Sequence, residues 1–145
     1  MILLDVGVGF AAMLESHVHH SAALRLVDEA EERSLGVCRV TQLGWLRLLS
    51  NPVTAGSAVL SRIDAWEAVD AVLEDSRVVY LEEPPGTGER FRKLSAANDQ
   101  SHKLWTDDYL AAFALTGGHA FATLDKKFEE RYPALQVLTL PTGVA

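Results

Sequence analysis

Short apolar runs alternate along the chain with longer segments in which apolar residues recur every three or four positions. "ILLDV", at residues 2–6, is apolar on both faces and predicts a short buried strand. "GFAAMLES" reads as a short helix. "HSAALRLVDEAEER" reads as a better one, with Ala23, Leu26, Val27 and Ala30 on one stripe and its acids mostly toward water. "LGVCRV" predicts a second strand, with Cys38 as a small core residue inside it. "TQLGWLRLLS" resumes the helical spacing through Leu43, Leu46 and Leu49, and "NP" stops it. "GSAVLSRIDAWEAVDAVLED" predicts a helix capped by Ser57 or Ser61, with Val59, Ile63, Trp66, Val69 and Leu73 on its apolar face.

The alternation continues to the end. "RVVYLEE" is a third strand, "PPGTG" a loop and "ERFRKLSAAND" a helix. "TDDYLAAFALTGG" is a helix with Thr106 or Asp107 as its cap and Gly117-Gly118 as its stop. "HAFATLD" is a fourth strand, "KKFEERYP" a short helix or turn, and "LQVLTLP" a fifth strand. Irregular stretches fall only around residues 50–56, 82–88 and 98–103. Strand and helix in strict alternation predict an α/β domain with a mainly parallel sheet of about five strands and helices on both faces.

Composition narrows the class. The 145 residues suit a single domain spanning 1–145, and 48% hydrophobic with 23% charged residues argues against disorder. A net charge of −7 argues against a nucleic-acid partner, though it ignores where the charges lie and any metal that offsets them. Cys38 is the single cysteine, so there is no internal disulfide and no cysteine ligand cluster. Asp5 interrupts the N-terminal apolar run before it reaches the length of a signal peptide. No apolar stretch approaches the ~20 residues of a membrane span. The expectation is a soluble, cytoplasmic protein.

In open parallel sheets, ligands bind beyond the carboxyl ends of the strands. Two predicted strands end there on a carboxylate: Asp5 in "ILLDV" and Asp125 in "FATLD". A third acid, Asp107, stands at the start of the helix "TDDYLAA". If those strands are neighbours, all three meet at one rim. Clustered carboxylates repel, and a hard cation such as Mg²⁺, which prefers carboxylate and water oxygens, relieves the repulsion. Such a centre hydrolyses phosphodiesters. Each acid has a plainer role open to it: Asp107 as a helix cap, Asp125 as a turn residue. Asp5 has none so simple, because a buried carboxylate needs a partner. Asp107 and Asp108 point about 100° apart on a helix, so only one can face the strand ends, and the pattern does not choose between them.

"ILLDV", "CRVTQLGWLRLLSNP", "TDDYLAAFA" and "FATLDKKF", in that order over nearly the whole chain, resemble a PIN-domain ribonuclease of the VapC toxin type. The resemblance implies a Rossmann-like three-layer α/β/α sandwich. It implies an endoribonuclease dependent on Mg²⁺ or Mn²⁺, a homodimer, and a small cognate antitoxin. Matched position by position, Asp5, Asp107 and Asp125 are the catalytic and metal-binding acids, and Thr123 is a supporting hydroxyl. Asp108 falls where relatives usually have Ala. Two positions depart from the pattern: Gly7 stands where relatives commonly have Asn, and Gly44 where many have a fourth acid, with Gln42 nearby on a different helix face. Three acids in place of four imply weaker metal binding, and an alternative in which the domain is a weak or inactive PIN-fold binding module held by its antitoxin. In a third reading the aspartates are only caps and turns of a non-nuclease domain.

Other patterns are weaker. His17 and His20 have the spacing of two zinc ligands but no third, and a solvated helix start accounts for them. "PPGTGER" lacks the ending of a phosphate-binding loop. Candidate contacts to RNA phosphates are Arg39, Arg47, Arg90, Arg92, Lys93, Lys103, Lys126 and Lys127. Among Trp45, Trp66 and Trp105, the last, beside Asp107, is the best placed to stack on a base.

Overall fold

Five short strands, β1 (Ile2–Leu4), β2 (Leu35–Val37), β3 (Val78–Tyr80), β4 (Ala120–Thr123) and β5 (Val137–Thr139), pair in the order β3-β2-β1-β4-β5. Every pairing is parallel, and Leu3 lies opposite Gly36 on one side and Phe121 on the other. The computed structural model describes residues 1–141, so residues 142–145 of the expected 1–145 domain lie outside the described residues.

The strands alternate their side chains between two cores. Leu4 and Ala122 point to one, with Val8, Trp45 and Val69 from helices α1 (Val6–Met13), α3 (Arg39–Leu49) and α5 (Arg62–Glu74). Helix α2 (His20–Asp28) joins this layer through Ala23, and the short α4 (Pro52–Ala55) packs on α3. Leu3 and Phe121 point the other way, to Leu110 and Phe113 of α7 (Trp105–Gly117) and Phe128 of α8 (Phe128–Arg131). Helix α6 (Thr87–Ser95) packs on α7 and reaches the same core through Leu94. The expected three-layer sandwich is the observed one. Its two helical layers follow from chain direction. The chain steps outward from β1 to β2 to β3, then jumps back across β1 to β4. Right-handed crossovers travelling in opposite directions must cover opposite faces of the sheet. The reversal leaves a crevice at the carboxyl ends of β1 and β4.

The two N-terminal glycines lie inside a helix that begins earlier than the predicted one. Helix α1 starts at Val6, directly after Asp5, so Gly7 and Gly9 are both helical. Gly9 is where α1 meets α3: a β-carbon there would stand 2.0 Å from the Trp45 ring. Gly44 of α3 faces α1 in return, and its β-carbon would stand 2.6 Å from Val6. Each helix thus offers a glycine to the other's bulky side chain. Trp45 is fully buried and its indole N–H donates to the Val6 carbonyl at 2.9 Å, which makes it a core residue and removes it as a base-stacking candidate. Gly7 is looser, since its β-carbon would touch only Leu124 at 3.7 Å.

Two apolar stripes are rotated from the predicted ones. On α3 the buried positions include Thr41, Gln42, Trp45 and Leu49, while Leu43 is exposed. Helix α5 begins only at Arg62, where Ser61 accepts from the Asp64 N–H, and it buries Ala65 and Val69. Val59, Ile63 and Trp66 are exposed. Small Ala65 and Ala68 let α5 sit close to its neighbours, and the spacing 65-68-69-72 competes equally well with 59-63-66 in the sequence. Cys38 is buried, as expected, but it caps α3 just beyond β2 instead of lying inside the strand. The stretch predicted irregular near residues 50–56 forms α4 and a 3-10 turn. Among the described residues no helix is long and apolar enough to cross a membrane.

Candidate functional site

Polar groups from several elements meet at the β1/β4 crevice. Asp5 leaves the end of β1 and is fixed at both oxygens. One accepts the Val6 N–H at 2.8 Å, so Asp5 is also the N-cap of α1, and the other accepts the Thr123 hydroxyl at 2.7 Å. Thr123 ends β4, is fully buried, and accepts the Asp125 N–H at 3.0 Å. One hydroxyl therefore couples the two strand-end aspartates. Asp125 caps its own turn as well, accepting the Lys127 N–H at 2.9 Å. The turn role and the rim position are the same geometry.

Asp107 enters from the first turn of α7. The capping expectation for Thr106 or Asp107 does not hold: α7 starts at Trp105, Leu104 is its cap residue, and the Leu104 carbonyl takes the Asp108 N–H. The Gly117-Gly118 stop does hold, with Gly118 left-handed at φ 71° and the His119 N–H reaching back to the Ala114 carbonyl. The tie between Asp107 and Asp108 is broken by α8. Asp108 turns inward and accepts the hydroxyl of buried Tyr132. Asp107 turns to the rim and shares a cleft wall with Asp5.

Sequence reasoning missed Arg131. One of its terminal nitrogens donates to Asp107 at 3.1 Å and to Asp125 at 2.5 Å, tying the helix-borne acid to the strand-borne one. Its guanidinium also lies over the Phe128 and Tyr132 rings. The signal available was slight: Arg131 stands six residues after Asp125, and only the one-turn helix α8 folds it back.

The acids sit in unequal fields. Burial pushes the Asp5 carboxyl above its ordinary range, against the Thr123 and Val6 hydrogen bonds. Burial, and then the neighbouring Asp5, push Asp107 up to about 6. Arg131 opposes that rise but is held closer by Asp125. Asp125 is also raised by burial, but the Lys127 N–H and Arg131 outweigh it and leave it below the usual carboxylate range. Carboxylate and hydroxyl oxygens are the donors that a hard divalent cation takes, so the set fits Mg²⁺ or Mn²⁺ in kind. Among the described residues no group of three or more His, Cys, Asp or Glu is drawn together closely enough to hold an ion as it stands. The guanidinium of Arg131 occupies the space between Asp107 and Asp125.

The cleft beside the acids measures about 330 Å³. Asp5 and Asp107 line it together with Val6, Leu43, Gly44 and Arg47. Gln42 offers no oxygen there, because its carbonyl is taken by Arg39 at 2.5 Å. The other basic candidates are all exposed: Arg39, Arg90, Arg92, Lys93, Lys103, Lys126 and Lys127. Trp105 is 56% exposed and packs edge-on against Phe91. His17 accepts the His19 N–H and His20 contacts the Ala11 carbonyl at 2.8 Å, so these rings serve the backbone of the α1–α2 connection.

Fold and rim together define a doubly wound parallel α/β domain with an acidic centre at its topological switch point. The chain belongs to the PIN domain family, whose model matches residues 2–132. It is 38% identical over 135 residues to Ribonuclease VapC41 of Mycobacterium tuberculosis, covering 90% of this chain and 92% of that protein. To Ribonuclease VapC29 of the same organism it is 30% identical, covering 97% of each. In structure it is similar to M. tuberculosis VapC20, described as a toxin that cleaves the sarcin-ricin loop, with TM-score 0.70, 15% identity and coverage of 97% of this chain and all of that one. It is also similar to a chain of the Rickettsia felis VapBC2 complex, solved bound to a promoter DNA fragment, with TM-score 0.65, 14% identity and the same coverage.

Proposed function

We propose that this protein is the endoribonuclease toxin of a toxin–antitoxin pair, hydrolysing RNA with a divalent metal held by Asp5, Asp107 and Asp125. The observation that carries the reading is the convergence of these three acids, from β1, α7 and β4, at the switch point of the sheet. The 38% identity to a named ribonuclease supports the reaction class. Mg²⁺ or Mn²⁺ bound there would supply Lewis acidity and a water acidic enough to attack a phosphodiester at neutral pH. The chain's own part is to position charge. Thr123 and the Val6 N–H fix both oxygens of Asp5, and Thr123 sets Asp125 relative to it. Burial and the neighbouring Asp5 raise Asp107 to about 6, and a bound cation would favour its charged form. Arg47, on the cleft wall, is placed for a substrate phosphate.

The partners belong to the same proposal: RNA as substrate, a cognate antitoxin, a second copy of this chain, and a cytoplasmic setting. The solved VapBC complexes support the antitoxin. A weak or inactive binding module is the second reading, favoured by Gly44. Val6 covers that position closely, so a fourth acid has no room without displacing it. Gly7 favours it as well, since glycine in place of the Asn that relatives commonly carry has no side chain to order the neighbouring acids.

The test incubates purified protein and Asp5→Asn with structured RNAs, with and without Mn²⁺. The expected outcome is Mn²⁺-dependent cleavage by the wild type that falls at least about 100-fold in Asp5→Asn. Equal cleavage by both would overturn the catalytic assignment. No cleavage by either, with tight antitoxin binding, would establish the binding-module reading.

A further inference from the structure

We propose that Arg131 is an internal stand-in for the metal, neutralising Asp107 and Asp125 in the metal-free protein and yielding its place when a divalent cation binds. The inference rests on the proposed metal site. Its first support is position: a single nitrogen of Arg131 bridges an oxygen of Asp107 at 3.1 Å and one of Asp125 at 2.5 Å. These carboxylates come from different elements and would otherwise face each other uncompensated. Among the described residues, Arg131 is the cation paired with them.

Incomplete satisfaction is the second support. The Arg131 Nε is buried and makes no hydrogen bond, although a guanidinium can form a two-pronged pair with a carboxylate. The head group reaches over the Phe128 ring to the acids and leaves one donor unmet, so the acids, not its own full bonding, hold it there. A third support is charge. Arg131 brings a single positive charge into ion-pair contact with Asp107 and Asp125, and a divalent cation brings two. The segment that carries Arg131 is also short: α8 has four residues, with Glu129 and Glu130 exposed. Tyr132, next in sequence, is anchored on Asp108. The backbone of Arg131 is thereby fixed, and only its side chain need move.

The consequence is competition. Removing the guanidinium strengthens metal binding, the reverse of what loss of a structural or metal-supporting residue does. The experiment measures Mn²⁺ binding to metal-free wild type, Arg131→Gln, Arg131→Lys and Asp125→Asn by electron paramagnetic resonance of free Mn²⁺. Circular dichroism checks each fold. Arg131→Gln is expected to bind Mn²⁺ about 5–10-fold more tightly than wild type. Arg131→Lys falls between them, because a compact ammonium bridges two carboxylates less well. Unchanged or weaker binding in folded Arg131→Gln would overturn the proposal. Should Arg131→Gln not fold, Arg131→Lys decides: tighter binding than wild type supports it, equal or weaker binding overturns it. Loss of binding in Asp125→Asn alongside wild-type affinity in the Arg131 variants leaves the metal site standing and removes only this inference. Absence of Mn²⁺ binding from every protein removes both.

Discussion

Adjacent aspartates of α7 occupy opposite environments, and the difference is measurable at single residues. Asp107 lies at the rim with its carboxyl raised to about 6, burial and the nearby Asp5 being the causes. In an unfolded chain that carboxyl titrates near its ordinary 3.8. The folded state therefore holds the proton more tightly. Its contribution to stability is present at low pH and is lost as pH rises from about 4 through about 6. For metal-free protein, thermal unfolding should show Asp107→Asn more stable than wild type at pH 7 by roughly 1 kcal/mol, with the gap closing toward pH 4. The full shift would give more, but the variant also weakens the contact with Arg131. A gap that stays constant from pH 4 to 7 would refute this account. Asp108 answers to different physics, because it is buried and is the acceptor for Tyr132. Asp108→Ala should cost about 1–3 kcal/mol in denaturant unfolding, by leaving the Tyr132 hydroxyl without its acceptor. Asp108→Asn, which keeps an acceptor oxygen, should cost less, and equal losses in the two would count against the hydrogen bond as the cause.

At the scale of elements, the crossing of α1 and α3 controls how Asp5 is presented. Val6 over Gly44 and Trp45 over Gly9 bring the helices together directly behind the strand end that carries the acid. The two α1 glycines should then respond oppositely to the same change. Gly9→Ala drives a methyl into the Trp45 ring and should destabilise by about 2 kcal/mol or more. Gly7→Ala meets only Leu124 at ordinary contact distance and removes a flexible residue from a helix, so it should be neutral or stabilising by up to about 1 kcal/mol. Denaturant midpoints of the two variants check this, and similar losses in both would show that helix entry, not the crossing, sets the requirement. Gly44 acquires a meaning that a motif comparison does not give it. It is a close-packing position first, and a missing acid only as a result.

Across the whole molecule, a net charge of −7 coexists with a proposed RNA substrate because the charge is not spread evenly. Part of the acidity is gathered at a rim where Arg131 already offsets some of it, and Arg47 stands on the wall of the cleft beside it. The fold makes this possible by reversing chain direction at β1 and β4. The acids of two strands and the first turn of the intervening α7 then open into one crevice.

The order of elements, the parallel sheet and the strand-end aspartates were legible in the sequence, because alternation and apolar runs are local properties. So was the Gly117-Gly118 stop, whereas Thr123 came only from the resemblance to the family. The buried faces of α3 and α5 were not, since Leu43, Ile63 and Trp66 keep helical spacing whether or not a partner covers them. Nor were the split between Asp107 and Asp108, the burial of Trp45, or the presence of Arg131 in the site. Each depends on α8 or α1 folding back against a segment distant in sequence. By itself the sequence determined which groups could reach the rim. Tertiary packing alone decided which of them face one another there, because a carboxylate's partner and its proton affinity are set by neighbours that the chain supplies from elsewhere.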